Sequence, residues 1–236
     1  MRLLLLSNST NAGENYFQHA LKPVADFLGT NSSEILFIPY AGIAISFDVY
    51  SDLVNEKFRE IGCQISSVHK TDDPVKAVEN AKAIVIGGGN TFHLLYLLQK
   101  NNLIYPIREK VLSGTPFIGW SAGSNIACPT IKTTNDMPVI QPLNFEALNF
   151  VPFQINPHYL DVNPAGHAGE TREARISEFI EINPDIYVIG LREGTYLKME
   201  SNRLSYFGSK SARIFKKNMK PIELFQNDDF NFLLSL

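Results

Sequence analysis

Apolar residues in this chain form short, nearly continuous runs that alternate with longer amphipathic stretches. Runs of this kind are typical of strands that are covered on both faces. The predicted strands, in chain order, are RLLLLS, EILFIPYA, CQISSV, AIVIGGG, TPFIGW, VPFQI and DIYVIGL. The predicted helices between the early strands are YFQHALKPVADFLG, SDLVNEKFREIG, DPVKAVEN and TFHLLYLLQKNN. This alternation predicts an α/β fold with a mostly parallel open sheet and helices on both faces.

The pattern changes near the end of the chain. TYLKMESNRLSYFG and RIFKKNMKPIELF each contain two short runs around turn residues, Ser-Asn in the first and Asn-Met-Lys-Pro in the second. Each therefore predicts a hairpin, and together they predict a small C-terminal antiparallel hairpin region. No repeat or linker interrupts the pattern, so we expect residues 1–236 to form a single α/β domain.

Composition and charge narrow the classes of function. The chain has 236 residues, 44% of them hydrophobic, which is enough to bury a substantial core. Its formal net charge is −3 and its Lys and Arg residues are scattered, so we expect neither nucleic acid nor membrane as a partner. The leucine run after Arg2 is too short for a signal peptide, and no run approaches a membrane span. We therefore expect a cytoplasmic protein, monomeric or homodimeric.

The two cysteines, Cys63 and Cys128, are too few and too far apart for a disulfide framework or a zinc site. Free buried thiols are the simpler interpretation. We accordingly expect no metal and no cofactor.

Ligands of open parallel sheets bind beyond the carboxyl ends of the strands. The residues that follow four of the predicted strands are therefore candidates for a site. They are Gly87-Gly88-Gly89-Asn90 after AIVI, Ser121 after TPFIGW, His158 after VPFQINP and Glu193 after DIYVIGLR. Together they offer a glycine loop, a hydroxyl, an imidazole and a carboxylate.

Ser121 lies in a Gly-x-Ser-x-Gly sequence at a predicted strand-to-helix turn. One interpretation is a helix N-cap, a position that serine favours. The other is a nucleophile exposed by a tight turn, with the next amide, that of Ala122, directed at a developing oxyanion.

A serine nucleophile needs a base beside it. Of the five histidines, His19 and His93 fall within amphipathic helix patterns, and His69 ends a strand before a polar segment. His158 and His167 remain, and the position of His158 directly after a strand favours it.

Two residues are candidates for the acid that orients the base. Glu193 follows a strand end, as Ser121 and His158 do, and its position favours it. Asp136, in TTNDMP, lies in a loop downstream of the serine and could fold over the site, or it could be an Asx turn residue.

The glycine run also raises the possibility of nucleotide binding. From Gly87, however, the sixth residue is Phe92, where the dinucleotide fingerprint needs glycine, and no Walker A pattern occurs. Backbone amides at the start of the TFHLLYLLQ helix suit an oxyanion equally well, so Gly89 is the predicted second oxyanion donor. We assign the adjacent Asn90 to substrate binding.

Arg172 belongs to the apolar stripe of a further helix, in GETREARISEFIEI, and falls in its first turn. The helix macrodipole disfavours a cation there, so an anion should compensate it. The anion is either Glu170 or Glu173, in an ion pair, or the carboxylate of a substrate held by two hydrogen bonds.

Six stretches make the chain resemble the peptidase E family, the aspartyl dipeptidases among the serine peptidases that share a class I glutamine-amidotransferase-like fold. They are LLLLSNST, GGGNTF, GWSAGSNIACPTIKTTNDMP, QINPH, GETRE and VIGLREG. The resemblance covers most of the chain and is weakest from about Glu200 onward. Several long motifs in one order are far more specific than Gly-x-Ser-x-Gly alone.

The resemblance implies hydrolysis of small peptides after an N-terminal aspartate. Ser121 would be the nucleophile, His158 the base, and Glu193 or Asp136 the acid, with Arg172 binding the aspartate carboxylate. The chain departs from the family pattern at two positions. Ser124 stands where alanine is expected, and Arg192 stands before Glu193 where proline is expected. An ion pair between Arg192 and Glu193 would draw the acid away from His158.

Two other classes of protein share some of these features. An α/β-hydrolase esterase has the same serine turn but the chain order serine, acid, histidine, which Ser121, Asp136 and His158 would satisfy. A non-catalytic binding module on the same fold is the second alternative, and the pairing of Ser121 with a histidine argues against it.

Overall fold

Five parallel strands form the centre of the protein in the computed structural model, which describes residues 1–29, 34–163, 165–166 and 168–235. The strands are β1 (Leu3–Leu6), β2 (Ile35–Ile38), β3 (Ile65–Ser67), β4 (Ala83–Ile86) and β5 (Phe117–Trp120). Their spatial order is β3-β2-β4-β5-β1, and every neighbouring pair is parallel. The predicted parallel sheet is confirmed.

Six further strands follow in the chain. They are β6 (Gln154–Asn156), β7 (Val188–Gly190), β8 (Tyr196–Glu200), β9 (Arg203–Phe207), β10 (Ala212–Phe215) and β11 (Ile222–Leu224). β8 pairs antiparallel with β1 and β9 with β8, which extends the central sheet to seven strands. The other four form a second sheet in the order β11-β10-β7-β6, in which only β6 and β7 are parallel.

Both C-terminal hairpins are present, but they do not form one separate region. Ser201 and Asn202, at the turn between β8 and β9, both have positive φ, which matches the twist of a tight hairpin. This hairpin lies along the β1 edge of the central sheet, so β6 and β7 cannot continue that sheet on this side. The second hairpin, β10–β11, instead pairs with β7.

Helices cover both faces of the central sheet. They are α1 (Leu21–Leu28), α2 (Phe47–Glu60), α3 (Pro74–Asn80), α4 (Thr91–Lys100), α5 (Ile104–Leu112) and α6 (Ala122–Asn125). Helix α7 (Arg172–Ile182) packs instead on the second sheet, where Ile176 lies in one apolar cluster with Val188 and Phe215. Alternate leucines of β1 belong to different apolar clusters: Leu3 and Leu5 pack with α3, α4 and α5, and Leu4 and Leu6 with α1 and α2. The continuous apolar runs therefore reflect burial on both faces.

Two segments differ from the predicted helices. YFQHALKPVADFLG is α-helical only from Leu21, because Phe17 adopts a left-handed backbone conformation with φ of 62° and residues Gln18–Ala20 form a 3₁₀ turn. Helix α5 was not predicted. It carries Pro106 in its first turn, where the missing amide hydrogen costs no helical hydrogen bond.

Cys63 and Cys128 are both buried and unpaired, and burial raises the pKa of the Cys128 thiol. Within the described ranges, no helix combines the length and the apolar character that crossing a membrane requires.

Candidate active site

Ser121 lies in a strained turn between β5 and α6, with φ of 53° and ψ of −113°. This conformation is rare for a residue with a side chain and costs about 1–3 kcal/mol. The turn packs tightly, since a Cβ on Gly119 would lie 2.1 Å from the Gly123 oxygen and one on Gly123 would lie 2.1 Å from the Ile86 oxygen. Among the described residues the Ser121 side chain caps no amide of α6, so the N-cap interpretation does not explain it.

His158 lies between Ser121 and Glu193. Its Nε2 is 3.0 Å from Ser121 Oγ, and its Nδ1 is 2.7 Å from Glu193 Oε1. An ionised carboxylate can only accept, so Nδ1 carries the hydrogen and Nε2 is left to accept the serine hydroxyl proton. The order of these three residues in the chain is serine, histidine, acid, which differs from the α/β-hydrolase order.

Two buried residues that follow β1 hold the backbone around His158 and Glu193. Ser7 Oγ accepts the His158 amide at 3.0 Å and donates to the Leu191 carbonyl at 2.8 Å. Asn8 Oδ1 accepts the amide of Gly194 at 2.8 Å, one residue after Glu193. Since His158 has a positive φ of 51°, its loop needs such contacts to keep its shape.

The glycine loop after β4 faces Ser121. Gly89 has φ of 137°, and a Cβ there would lie 2.2 Å from the Ala41 oxygen, so only glycine fits. Asn90 N donates to that oxygen at 2.8 Å. Within the described part of the chain, no backbone hydrogen bond has the Gly89 or Ala122 amide as its donor. Both residues line the same cleft as Ser121.

The cleft is open, with a volume of about 540 Å³. Ser121 and His158 line it together with two opposite charges, Asp136 and Arg172. The amide and the hydroxyl of Thr91 donate to Asp136 Oδ2 at 2.7 and 2.6 Å, which places this carboxylate at the positive end of α4. Asp136 therefore borders the cleft without being one of the partners of His158.

Arg172 is the first residue of α7, with Thr171 as the N-cap. Glu170 pairs with Arg175 at 3.7 Å and Glu173 with Arg213 at 2.8 Å. Across the residues that the structure describes, Arg172 forms no ion pair of its own. Burial lowers the pKa of Arg172, the charge of Arg175 adds to this effect, and the charge of Asp136 opposes it. The ion-pair explanation for Arg172 therefore does not hold within this region.

Comparison with known proteins identifies the family. The model of peptidase family S51 matches residues 3–206. The chain belongs to peptidase family S51. It is 49% identical to a peptidase E of Nostoc sp. over 99% of this chain and 96% of that protein. It is 42% identical to a peptidase E of Salmonella newport over 95% of this chain and 97% of that protein.

Solved structures share the fold. The crystal structure of a peptidase from an acI-B1 actinobacterium has a TM-score of 0.68 at 18% identity, covering 97% of this chain and 96% of that one. A putative peptidase E protein from Listeria monocytogenes has a TM-score of 0.58 at 21% identity, covering 95% and 98%. The predicted fold class is thus confirmed, and the chain is a peptidase of the hydrolase class.

The two departures from the family pattern have structural explanations. Arg192 donates to both carboxylate oxygens of Asp161 and to Glu223, the latter at 2.8 Å, so it points away from Glu193. Ser124 is fully buried, and its hydroxyl lies 2.7 Å from the Leu6 oxygen and 2.9 Å from the Gly119 oxygen. Its hydrogen-bonding capacity is used within the core.

The predicted substrate-binding residue Asn90 does not enter the cleft. The Asn90 side chain caps α4 by accepting the His93 amide at 3.0 Å, and it donates to the Met137 oxygen at 2.9 Å. It is absent from the described lining of the cleft. His167, the alternative base, lies outside the described residues.

Three residues that support the site, Ser7, Asn8 and Tyr50, were not predicted from the sequence. The rule used for the other strands would have found the first two, because they directly follow β1. Tyr50 gave no such signal, since it lies in the first turn of helix α2 and contacts the glycine loop only in the folded protein.

Proposed function

We propose that this peptidase is a serine dipeptidase that hydrolyses peptides with an N-terminal aspartate through an acyl-enzyme. The observation that carries the proposal is the continuous contact from Glu193 through His158 to Ser121, at 2.7 and 3.0 Å. The strained turn under Ser121 supports it, because strain of this kind is retained at functional sites.

In the proposed reaction, Ser121 Oγ attacks the scissile carbonyl carbon while His158 Nε2 takes its proton. Glu193 keeps the proton on Nδ1 and stabilises the imidazolium. The amides of Gly89 and Ala122 donate to the oxyanion. His158 then gives its proton to the leaving amine, the peptide C–N bond breaks, and water repeats the sequence on the acyl-enzyme to release aspartate and free Ser121.

The charges of the cleft support an N-terminal aspartate. Such a residue has a cationic α-ammonium and an anionic side-chain carboxylate only a few bonds apart. Arg172 and Asp136 line one cleft and form no ion pair with each other among the described residues. We assign Arg172 to the side-chain carboxylate and Asp136 to the α-ammonium.

The support for this role of Asp136 comes from its hydrogen bonds. Thr91 N, Thr91 Oγ1 and Thr134 Oγ1 all contact Oδ2, at 2.7, 2.6 and 3.0 Å. All three contacts are made to one oxygen of the carboxylate. Among the described residues no hydrogen bond involves the other oxygen, Oδ1, and we assign it to the ammonium donor.

A panel of three substrates tests the function. We expect the wild-type protein to hydrolyse Asp-Leu, and to hydrolyse N-acetyl-Asp-Leu about tenfold or more slowly, because acetylation removes the ammonium charge. The third substrate, p-nitrophenyl acetate, reports serine reactivity without either recognition element. Hydrolysis of the ester alone would indicate an esterase, and no hydrolysis of any substrate would overturn the proposal.

Removing Arg172 should abolish the preference for aspartate. In Arg172→Ala the substrate carboxylate loses its partner, which costs about 2–5 kcal/mol, or roughly 30- to several-thousand-fold in kcat/KM for Asp-Leu. Arg172→Lys should recover only part of this, since an ammonium cannot form the two parallel hydrogen bonds of a guanidinium. The measurement is kcat/KM for Asp-Leu and Asn-Leu.

Arg175→Ala is the matched control, because Arg175 lies on the same helix and pairs with Glu170 at 3.7 Å. It should keep the wild-type ratio of Asp-Leu to Asn-Leu. An unchanged ratio in Arg172→Ala would place the carboxylate site elsewhere.

A further inference from the structure

The peptide group between Gly88 and Gly89 is held by Tyr50, a residue of α2. The Tyr50 hydroxyl lies 3.0 Å from the Gly88 carbonyl oxygen, and Trp120 Nε1 lies 3.2 Å from the Tyr50 oxygen. An indole N–H can only donate, so the Tyr50 oxygen accepts from Trp120 and its own hydrogen is donated to Gly88. The direction of both hydrogen bonds is therefore fixed.

The geometry of a peptide bond transmits this contact to the next amide. A trans peptide is planar, and its C=O and N–H point in opposite directions. With the Gly88 oxygen directed at Tyr50, the Gly89 N–H must point away from Tyr50. This is the amide for which the described residues supply no backbone acceptor, and Gly89 borders the cleft with Ser121.

Tyr50 is itself rigidly placed. It is 6% exposed, and its ring makes an edge contact with Phe37 at a centroid distance of 5.2 Å. Burial raises the pKa of Tyr50 to about 12, so the hydroxyl keeps its hydrogen at neutral pH. The peptide that it holds joins two glycines, which are the residues with the greatest backbone freedom.

We propose that Tyr50 is a positioning residue for the oxyanion site: its hydroxyl fixes the Gly88 carbonyl and thereby aims the Gly89 N–H at the oxyanion formed on Ser121. This inference rests on the proposed roles of Ser121 and Gly89. Tyr50 also lines the cleft, but among the described residues its hydroxyl contacts Gly88 and Trp120 and not Ser121 or His158, so the proposed action is through the loop.

The test is Tyr50→Phe, which keeps the ring and removes the hydroxyl. Complete loss of an oxyanion donor costs about 10²–10³ in kcat, and here the donor remains but is free to rotate, so we expect about a 10- to 100-fold lower kcat with KM nearly unchanged. The substrate is Asp-Leu, or whichever peptide the wild type hydrolyses.

A binding experiment separates oxyanion stabilisation from general damage. Ser121 Oγ should add to the carbonyl carbon of the α-aldehyde of aspartic acid and form a hemiacetal. The former carbonyl oxygen of this hemiacetal should occupy the oxyanion site. Its affinity for Tyr50→Phe should fall by about the same factor as kcat/KM. The affinity of β-alanine, which keeps the ammonium and the side-chain carboxylate of aspartate but lacks the α-carboxyl group, should stay at the wild-type value.

Tyr206→Phe is the matched control. Tyr206 is fully buried and donates to the Lys210 carbonyl at 2.8 Å, so the variant loses the same kind of hydrogen bond away from the loop. We expect its kcat and aldehyde affinity to match the wild type. Replacing Tyr50 with 4-aminophenylalanine, which keeps an N–H donor at the same place, should restore much of the rate lost in Tyr50→Phe.

Each outcome separates this inference from the proposed function. An inactive wild type refutes the function before any variant is compared. With an active wild type, an unchanged kcat in Tyr50→Phe, or equal losses of aldehyde and β-alanine affinity, overturns the role of Tyr50. If Tyr50→Phe does not fold, the 4-aminophenylalanine protein is the test variant. Its weaker donor should lower kcat and aldehyde affinity without changing the affinity of β-alanine.

Discussion

Replacing Ser121 or His158 with alanine should lower kcat for Asp-Leu by about 10⁴-fold or more, and the double variant should lose little further. The reason is that the hydroxyl and the imidazole act as one unit across the 3.0 Å contact between Ser121 Oγ and His158 Nε2. Without the base the hydroxyl is a weak nucleophile, and without the hydroxyl the base has no proton to take. The measurement is kcat for the two single variants and the double variant.

Ser124→Ala is the control for this prediction. Ser124 follows Ser121 by one helical turn, but its hydroxyl is buried and bonds within the core. The variant also carries the residue that the family resemblance leads us to expect there, so kcat should stay near the wild-type value. If the double variant instead lost kcat by the product of the two single-variant factors, Ser121 and His158 would not act as one catalytic unit.

The central sheet was predictable because its physical cause is local. The strands β1, β2, β4 and β5 are runs of apolar residues that are fully buried, because both faces of the sheet are covered. The edge strand β3 contains two serines and is partly exposed. The positions of Ser121, His158 and Glu193 also followed from local pattern, since each comes shortly after a strand. The distances between these three residues did not follow from the local pattern.

The second sheet could not be predicted because it depends on competition for an edge. β6 and β7 are fully buried, as the inner strands of the central sheet are. Whether they join the central sheet depends on whether β8 pairs with β1, a contact between residues nearly the whole chain apart. Local hydrophobicity carries no information about that choice.

The contacts that support the site also join distant parts of the chain, so they could not be predicted from local sequence. Ser7 contacts the His158 amide across 151 positions of the chain, and Tyr50 contacts Gly88 across 38. A serine after a strand and a tyrosine within a helix are common, so only the assembled fold distinguishes them. Arg172, unlike Ser7 and Tyr50, was recognisable from the sequence. A cation in the first turn of a helix is disfavoured by the helix macrodipole, so its presence there indicates a nearby anion.

The choice between the two acids leads to the other large expected effect. Glu193→Gln should lower kcat by about 10³–10⁴-fold, because an amide opposite Nδ1 no longer favours the tautomer in which Nε2 accepts the serine proton. The loss should be similar for Asp-Leu and N-acetyl-Asp-Leu, since the acid acts on His158 and not on the substrate. The Ser121–His158 contact and the cleft charges remain in this variant.

Asp136→Asn should behave differently with the same two substrates. The amide oxygen can still accept from Thr91, but the charge that we assign to the α-ammonium is gone, and a hydrogen bond to a charged group contributes about 1.5–3 kcal/mol, or roughly 10- to 100-fold. We expect that loss in kcat/KM for Asp-Leu and almost none for N-acetyl-Asp-Leu, so the preference for a free ammonium should disappear. Thr134→Val, which removes the contacts of the Thr134 hydroxyl to Oδ2 and to the amide of Asp136 and keeps the charge, should retain the preference. If Asp136→Asn instead slowed both substrates equally by 10³-fold while Glu193→Gln stayed active, Asp136 would be the acid of the triad and the ammonium site would be elsewhere.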